Sequence, residues 1–146
     1  MSYLLPIHQK IYYFLIKIIS NERKIIKIET KKAVKNIEKI LKHCDEILID
    51  RGDLSKEINI IEVPKAQRKI QKIANKKDKK VYIATNLLES MISKPYPTRA
   101  EINDIYNCLE LGADGLVLAA ETAVGKWPLE CIKIMSDVIK NYSKAI

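Results

Sequence analysis

Several features that mark common protein classes are scarce in this sequence. Its three cysteines, Cys44, Cys108 and Cys131, show no CxxC or Cys-His spacing, which argues against a zinc site and a disulfide framework and favours reduced thiols in a cytoplasmic protein. The apolar stretch 11–19 contains Lys17 and is too short to span a bilayer. No small-residue cleavage site follows it, so the sequence predicts neither a membrane anchor nor a signal peptide.

Arginine is also scarce, although the chain is basic. Only four of the 26 basic residues are Arg, against 18 acidic residues, and the net charge is +8. Nucleic-acid sites usually draw on Arg forks to bind phosphates and base edges, whereas a Lys excess spread over helix faces is more often a solvated surface. The composition therefore argues against a nucleic-acid partner, and a steep salt dependence of DNA binding would be needed to support one.

No low-complexity stretch or Gly/Ser linker divides the chain, so we expect one domain over residues 1–146. With 47% hydrophobic residues, the chain has enough apolar side chains to fill a core. Brief aliphatic runs bounded by polar or turn residues are typical of buried parallel strands. The chain has four such runs: 25–28, 47–49, 81–84 and 116–119.

Helical patterns lie between and after these runs. Apolar residues recur at the spacing of one helix face over 33–41, 61–74, 98–111 and 127–139. Residues 1–20 show one more amphipathic pattern. Because strands alternate with helices, we predict an α/β fold of four parallel βα units over 25–146, preceded by an N-terminal helix. A (β/α)8 barrel needs twice that number, so the pattern predicts about half of a TIM-type barrel.

Polar side chains follow each predicted strand at its carboxyl end. In parallel α/β proteins these ends meet at one edge of the sheet, where functional groups gather. We therefore expect one site there, although these residues are far apart in the sequence. The groups concerned are Lys27 with Glu29, the segment 50–53, Thr85 with Asn86, and Glu121 with Thr122.

Residue chemistry at this edge is compatible with phosphoryl transfer. Glu29 and Asp53 would approach from neighbouring strands and offer two carboxylates to a Mg²⁺ ion, beside which Lys27 would place a compact positive charge. Spacing alone leaves a simple Lys27–Glu29 ion pair about equally favoured. The amides of Gly52 and Asp53 could bind an anion or form an ordinary strand-to-helix turn. Thr85 could bind a substrate carboxylate or cap a helix.

Five motifs occur in an order and at a spacing that resemble the pyruvate kinase family. They are Lys27-Ile28-Glu29, Arg51-Gly52-Asp53-Leu54, the segment ATNLLESM at 84–91, the segment KPYPTRAE at 94–101, and Glu121-Thr122-Ala123. The resemblance runs from about residue 25 to the C-terminus. It implies that the four βα units are the second half of that family's catalytic barrel.

The resemblance also implies roles for the metal and phosphoryl groups. Lys27 matches the lysine that stabilises the phosphoryl group and the enolate of pyruvate. Glu29 and Asp53 match the two residues that hold the divalent metal, Mg²⁺.

Substrate contacts and a proton relay are implied in the same way. The amides of Gly52 and Asp53 and the hydroxyl of Thr85 match the groups that bind the carboxylate of phosphoenolpyruvate. Glu121 matches a glutamate near a proposed proton relay, and Arg99 lies in a segment that the family places near a subunit interface.

Some family residues are replaced or have no counterpart. Ser55 stands where a final Gly is usual, Asn86 where Gln is usual, and Ala119-Ala120 where Ser-Gly is usual. The groups that bind phosphate and K⁺ in the family's first barrel strands have no match. The nucleotide-covering lid domain and the C-terminal regulatory domain have none either.

Two functional readings follow from the resemblance. The first is a pyruvate kinase-type phosphotransferase of glycolysis, with phosphoenolpyruvate and ADP as substrates, truncated and in need of a second copy or a complementing chain for activity. The alternative is a non-catalytic remnant that binds Mg²⁺ and phosphoenolpyruvate or serves in assembly.

Overall fold

A computed structural model of the chain describes residues 22–144, which fold as a parallel sheet with helices between its strands. The strands are β1 (Ile25–Ile28), β2 (Glu46–Asp50), β3 (Lys80–Ala84) and β4 (Gly115–Val117), in the spatial order β1-β2-β3-β4. All neighbouring pairs are parallel. The predicted α/β fold of parallel βα units is therefore confirmed, whereas the helix predicted over 1–20 lies outside the described residues.

Seven α-helices occur within residues 22–144. They are α1 (Lys31–Lys35), α2 (Ile37–Ile40), α3 (Arg51–Glu57), α4 (Val63–Lys76), α5 (Arg99–Glu110), α6 (Ala120–Ala123) and α7 (Pro128–Lys144). Single 3₁₀ turns at Ile60–Glu62 and Glu89–Ile92 complete the connections.

Strand register separates the sheet into an apolar face and a polar face. Ile28, Ile49, Ile83 and Leu116 stand in one row across the four strands, and the three isoleucines are fully buried in the core. Because side chains alternate along a strand, Lys27 and its neighbours in the next row point to the opposite face. The apolar row therefore packs into the hydrophobic core and leaves the other face to carry the polar side chains.

Long helices cover the apolar face with single stripes. In α4 the buried positions include Ala66, Ile70 and Ala74, spaced four residues apart, which is the spacing of one helix face. Helix α5 begins with a reciprocal capping box, in which Thr98 and Glu101 each bond the other's backbone amide. The start of α5 is therefore set by its local sequence, and the orientation of α4 by apolar packing.

Helix boundaries differ from the prediction at one place. The stripe over 33–41 predicts a single helix, but the structure has two short ones that meet at Asn36. The Asn36 side-chain amide donates to the Lys32 carbonyl at 2.9 Å, and its backbone φ and ψ of −105° and 17° are not helical. Asparagine side chains compete with the backbone in this way, and the competition ends the first helix.

None of the helices within residues 22–144 is both long enough and apolar enough to cross a lipid bilayer.

Candidate functional site

The ammonium group of Lys27 lies among three carboxylates at the carboxyl ends of β1 and β2. Its Nζ is 2.9 Å from Glu29 Oε2, 3.0 Å from Asp50 Oδ2 and 3.9 Å from Asp53 Oδ2. One oxygen from each of these carboxylates lies within 4.8 Å of the others. The structure therefore brings together Lys27, Glu29 and Asp53, as the sequence predicted, and adds Asp50.

Asp50 and Thr85 link this cluster to β3. Thr85 Oγ1 lies 3.3 Å from Asp50 Oδ1, and the same carboxylate oxygen accepts a hydrogen bond from the Asp53 amide at 3.2 Å. The Gly52 amide donates to Thr85 Oγ1 at 2.7 Å. We refer to Lys27, Glu29, Asp50, Asp53 and Thr85 as the rim. Its side chains and amides come from three consecutive strand ends.

Close approach of backbone to side chain favours glycine at position 52. A Cβ added there would lie 3.3 Å from Thr85 Oγ1, closer than most such contacts. The small residue therefore lets the start of α3 lie directly against the Thr85 hydroxyl.

Charge pairing shifts two pKa values at the rim. The hydrogen bonds to Glu29 and then to Asp50 raise the pKa of Lys27 above its ordinary value. Burial acts to raise the pKa of Asp50, but the hydrogen bonds from Lys27, from the Asp53 amide and from Thr85, with the Lys27 charge, outweigh it, so the pKa is lowered. Lys27 is consequently a fixed cation and Asp50 a fixed anion near neutral pH.

Arg51 holds the chain segment that carries the Thr85 hydroxyl. Thr85 and Asn86 both have left-handed backbone, with φ of 70° and 55°, a conformation that non-glycine residues adopt rarely. The Arg51 guanidinium donates to the Thr85 carbonyl at 2.8 and 3.2 Å and to the Asn86 carbonyl at 3.1 Å. It also pairs with Asp104 on α5 at 2.5 Å. Arg51 therefore stabilises the left-handed turn after β3 and connects it to α5.

A cavity of about 260 Å³ opens beside the rim. Gly52, Asp53, Thr85 and Glu121 from the predicted site all line it, together with Asp50. Its volume is somewhat below the usual range for small-molecule sites. The cavity therefore brings Thr85, which follows β3, and Glu121, which follows β4, next to Gly52 and Asp53, which follow β2.

Glu121 has a different environment from the rim carboxylates. Its side chain is buried, and its two oxygens accept the backbone amides of Leu88 at 3.2 Å and of Ala119 at 2.8 Å. Strand β4 ends at Val117, two residues before the end of the predicted run 116–119, and the Ala119 amide bonds Glu121 beyond the strand. The carboxylate therefore connects the third and fourth units while lining the cavity.

Sequence reasoning placed the segment 50–53 at this edge but gave Asp50 and Arg51 no role, and it missed Asp104. Asp50 ends β2 and lies two residues beyond Leu48, so the two-residue period of a strand places it on the polar face with Lys27. That signal was present in the sequence. The pairing of Arg51 with Asp104 joins residues 53 positions apart and had no local signal.

Fold and geometry together define a parallel α/β domain with a charged rim and a cavity at the carboxyl ends of its strands. The family described as "Pyruvate kinase, barrel domain" matches residues 15–132 of the chain. The chain therefore belongs to the pyruvate kinase family, in its barrel domain, and the predicted resemblance is confirmed.

Individual relatives agree with this assignment. The chain is 53% identical over 122 residues to "Pyruvate kinase" of Thermotoga maritima, covering 84% of this chain and 26% of that protein. It is 45% identical over 116 residues to "Pyruvate kinase" of Methanocaldococcus jannaschii, covering 80% of this chain and 26% of that protein. To "Plastidial pyruvate kinase 3, chloroplastic" of Arabidopsis thaliana it is 45% identical over 114 residues, covering 78% and 20%. The match therefore spans about a quarter or less of these relatives.

Proposed function

We propose that the rim and its cavity form the Mg²⁺ and phosphoenolpyruvate site of a pyruvate kinase barrel. The observation that carries this proposal is the position of the Lys27 ammonium, 2.9 Å from Glu29 and 3.9 Å from Asp53. A cation and two carboxylates at one strand edge are the groups that metal-assisted phosphoryl transfer needs. Membership of the pyruvate kinase family supports the choice of substrate.

Mg²⁺ would be held by Glu29 and Asp53. Carboxylate oxygens are the protein ligands this ion prefers, and it completes its shell with water and substrate oxygens. The rim fits this requirement because its three carboxylates each offer an oxygen within 4.8 Å of the others. When bound, the ion supplies charge neutralisation for the phosphoryl oxygens.

Binding of the substrate would use groups that line the cavity together with Lys27, which bonds Asp50 in the cavity wall. Lys27 would stabilise the negative charge that develops on the phosphoryl group and then on the enolate oxygen. The amides of Gly52 and Asp53 and the hydroxyl of Thr85 would receive the substrate carboxylate. Glu121 would act near the proton relay, with its carboxylate held in place by the amides of Leu88 and Ala119.

The reaction would transfer the phosphoryl group of phosphoenolpyruvate to ADP. The phosphorus–oxygen bond of the enol phosphate breaks and the enol oxygen keeps the electron pair. The terminal phosphate oxygen of ADP forms the new bond and gives ATP. The enolate then takes a proton on carbon and becomes pyruvate. Lys27 would stabilise the negative charge both before and after this bond breaks.

Turnover would require groups that the described residues do not provide. The family resemblance gives no match for nucleotide-binding or K⁺-binding groups between residues 22 and 144. Losing groups that act together in one transition state lowers rates by orders of magnitude. We propose that a second copy or a complementing chain supplies them, placed against β1 and β4, the edge strands of the described sheet. Light scattering with and without candidate partner chains tests this step.

A lysine substitution tests the rim directly. In Lys27→Met, Mg²⁺-dependent binding of phosphoenolpyruvate should fall at least tenfold in calorimetric titration, because one full charge is removed next to the phosphoryl group. Lys72→Met removes an exposed lysine on α4 and is the matched control. Wild-type affinity in Lys27→Met would contradict the proposed role.

The second candidate is a binding module that takes Mg²⁺ and phosphoenolpyruvate without turnover. The specific observation in its favour is that Ala119 and Ala120, which stand where Ser-Gly is usual in the family, line the cavity and offer it no hydroxyl group. A coupled assay for pyruvate, run beside the titration, separates the two functions. Binding with no pyruvate formed, even with a partner chain present, favours the module.

A further inference from the structure

The Asp50 carboxylate lies at the centre of the rim and is nearly enclosed. Its side chain is 11% exposed. Oδ2 pairs with Lys27 Nζ at 3.0 Å, and Oδ1 accepts from the Asp53 amide at 3.2 Å. Oδ1 also lies 3.3 Å from Thr85 Oγ1, whose closer acceptor is the Ala84 carbonyl at 2.6 Å. One carboxylate therefore contacts groups from β1, from the start of α3 and from the end of β3.

These contacts coincide with the donors that an anionic substrate would need. The Asp53 amide and the Thr85 hydroxyl are assigned to the substrate carboxylate, and Lys27 is assigned to its phosphoryl group. The Gly52 amide, the remaining donor of that set, is bonded to Thr85 Oγ1 at 2.7 Å. Each donor is thus satisfied within the protein before a ligand arrives.

We infer that Asp50 is an internal anion that occupies the carboxylate subsite, so that an anionic ligand binds only by displacing it. The inference rests on the proposed function, because that function assigns the same donors to the substrate. It makes Asp50 a residue that weakens anion binding, in contrast to Lys27, which strengthens it.

The charge of the rim supports a competitive role. Glu29, Asp50 and Asp53 contribute three negative charges, and Lys27 and Lys56, the latter 2.7 Å from Asp53, contribute two positive ones. The rim together with Lys56 therefore carries one net negative charge and repels an anion until a divalent cation binds. Without Asp50 the same groups would be neutral, so anion binding would depend less on the cation.

A purely structural role makes the opposite prediction. Asp50 is also the N-cap of α3 through its bond to the Asp53 amide, and loss of a cap lowers stability. Loss of stability gives no reason for a ligand to bind more tightly. A gain in affinity after removal of Asp50 therefore distinguishes the internal anion from the cap.

Titration calorimetry with phosphoenolpyruvate in saturating Mg²⁺ tests the inference. We expect Asp50→Ala to bind about tenfold more tightly than the wild type, because the Asp53 amide loses its acceptor, Lys27 loses one carboxylate partner and a like charge is removed. Asp50→Asn should gain less, because its amide oxygen still accepts from the Asp53 amide. It also preserves the cap if Asp50→Ala fails to fold. Glu89→Gln, which removes a charge from the wall of the same cavity, is the control for long-range charge.

Inorganic phosphate is the second probe, since it lacks a carboxylate. Its affinity should change by less than that of phosphoenolpyruvate in Asp50→Ala. If phosphoenolpyruvate binds both proteins equally, or binds the Asp50 variants more weakly, Asp50 is not a competitor and the proposed rim still stands. If neither wild type nor variants bind it, the proposed function fails and the inference with it. An equal gain in Glu89→Gln would assign the effect to general charge and overturn the inference.

Discussion

Replacing Arg51 should destabilise the protein more than replacing an exposed charged residue does. The Arg51 side chain is only 11% exposed and carries the guanidinium that holds the left-handed segment Thr85–Asn86. Alanine would remove every one of these bonds. Lysine would keep the charge but lose the planar fork that reaches two carbonyls and Asp104 at once.

The magnitude follows from the bonds that are lost. Three hydrogen bonds to the carbonyls of Thr85 and Asn86 contribute about 1 kcal/mol each. The pair with Asp104 adds less, since that carboxylate is 36% exposed and screened by solvent. We expect Arg51→Ala to lower the free energy of unfolding by about 3 kcal/mol and Arg51→Lys by about half of that.

Urea unfolding measures this change. A loss of about 3 kcal/mol with a slope of about 1.5 kcal/mol per molar lowers the midpoint by about 2 M. Arg68→Ala is the matched control, because Arg68 also donates to a side chain on α5, Asn107, but is exposed; its cost should stay within about 0.5 kcal/mol. If Arg51→Ala and Arg68→Ala lower the free energy of unfolding equally, Arg51 does not stabilise the segment Thr85–Asn86 in the way argued above.

Two further predictions concern buried or capped carboxylates. Glu121→Gln should lower the free energy of unfolding by about 1–3 kcal/mol in urea, because one of two buried backbone amides then faces an NH₂ donor; an unchanged midpoint would contradict this. The pKa values of Asp50 and Glu101 lie below their ordinary values of 3.8 and 4.5. For Glu101, burial acts to raise the pKa, but the hydrogen bonds from Ser90 and Thr98 outweigh it. The stability that these two carboxylates contribute is present above pH 3.8 and 4.5 and is lost as the pH falls through their lowered pKa values. The melting temperature should therefore fall on acidification. In Glu101→Gln it should fall less steeply, because one of the two titrating groups is removed.

Local sequence patterns were sufficient to predict the elements of the fold. The run 25–28 coincides with β1, and the predicted helices 61–74 and 98–111 coincide closely with α4 and α5. These patterns depend on neighbours a few residues apart, which share one strand or helix face. The break at Asn36 was not predicted, because apolar periodicity continues across it while the side chain bonds back to the chain.

The approach of Glu29 and Asp53 to Lys27 could be predicted because topology alone brings the carboxyl ends of neighbouring parallel strands to one edge. Their roles toward Mg²⁺ and substrate remain predictions.

The sequence by itself determined the order of strands and helices, the family, and the types of charged group at the strand ends, since each depends on residue identity and short spacing. Tertiary structure alone decided how those charges pair. The Lys27 ammonium lies as close to Asp50 as it does to Glu29. Arg51 bonds the backbone of the segment after β3 and also pairs with Asp104 on α5. Such pairings depend on side-chain distances of a few ångströms between residues far apart in the chain, and these distances are fixed only when the strands and helices pack.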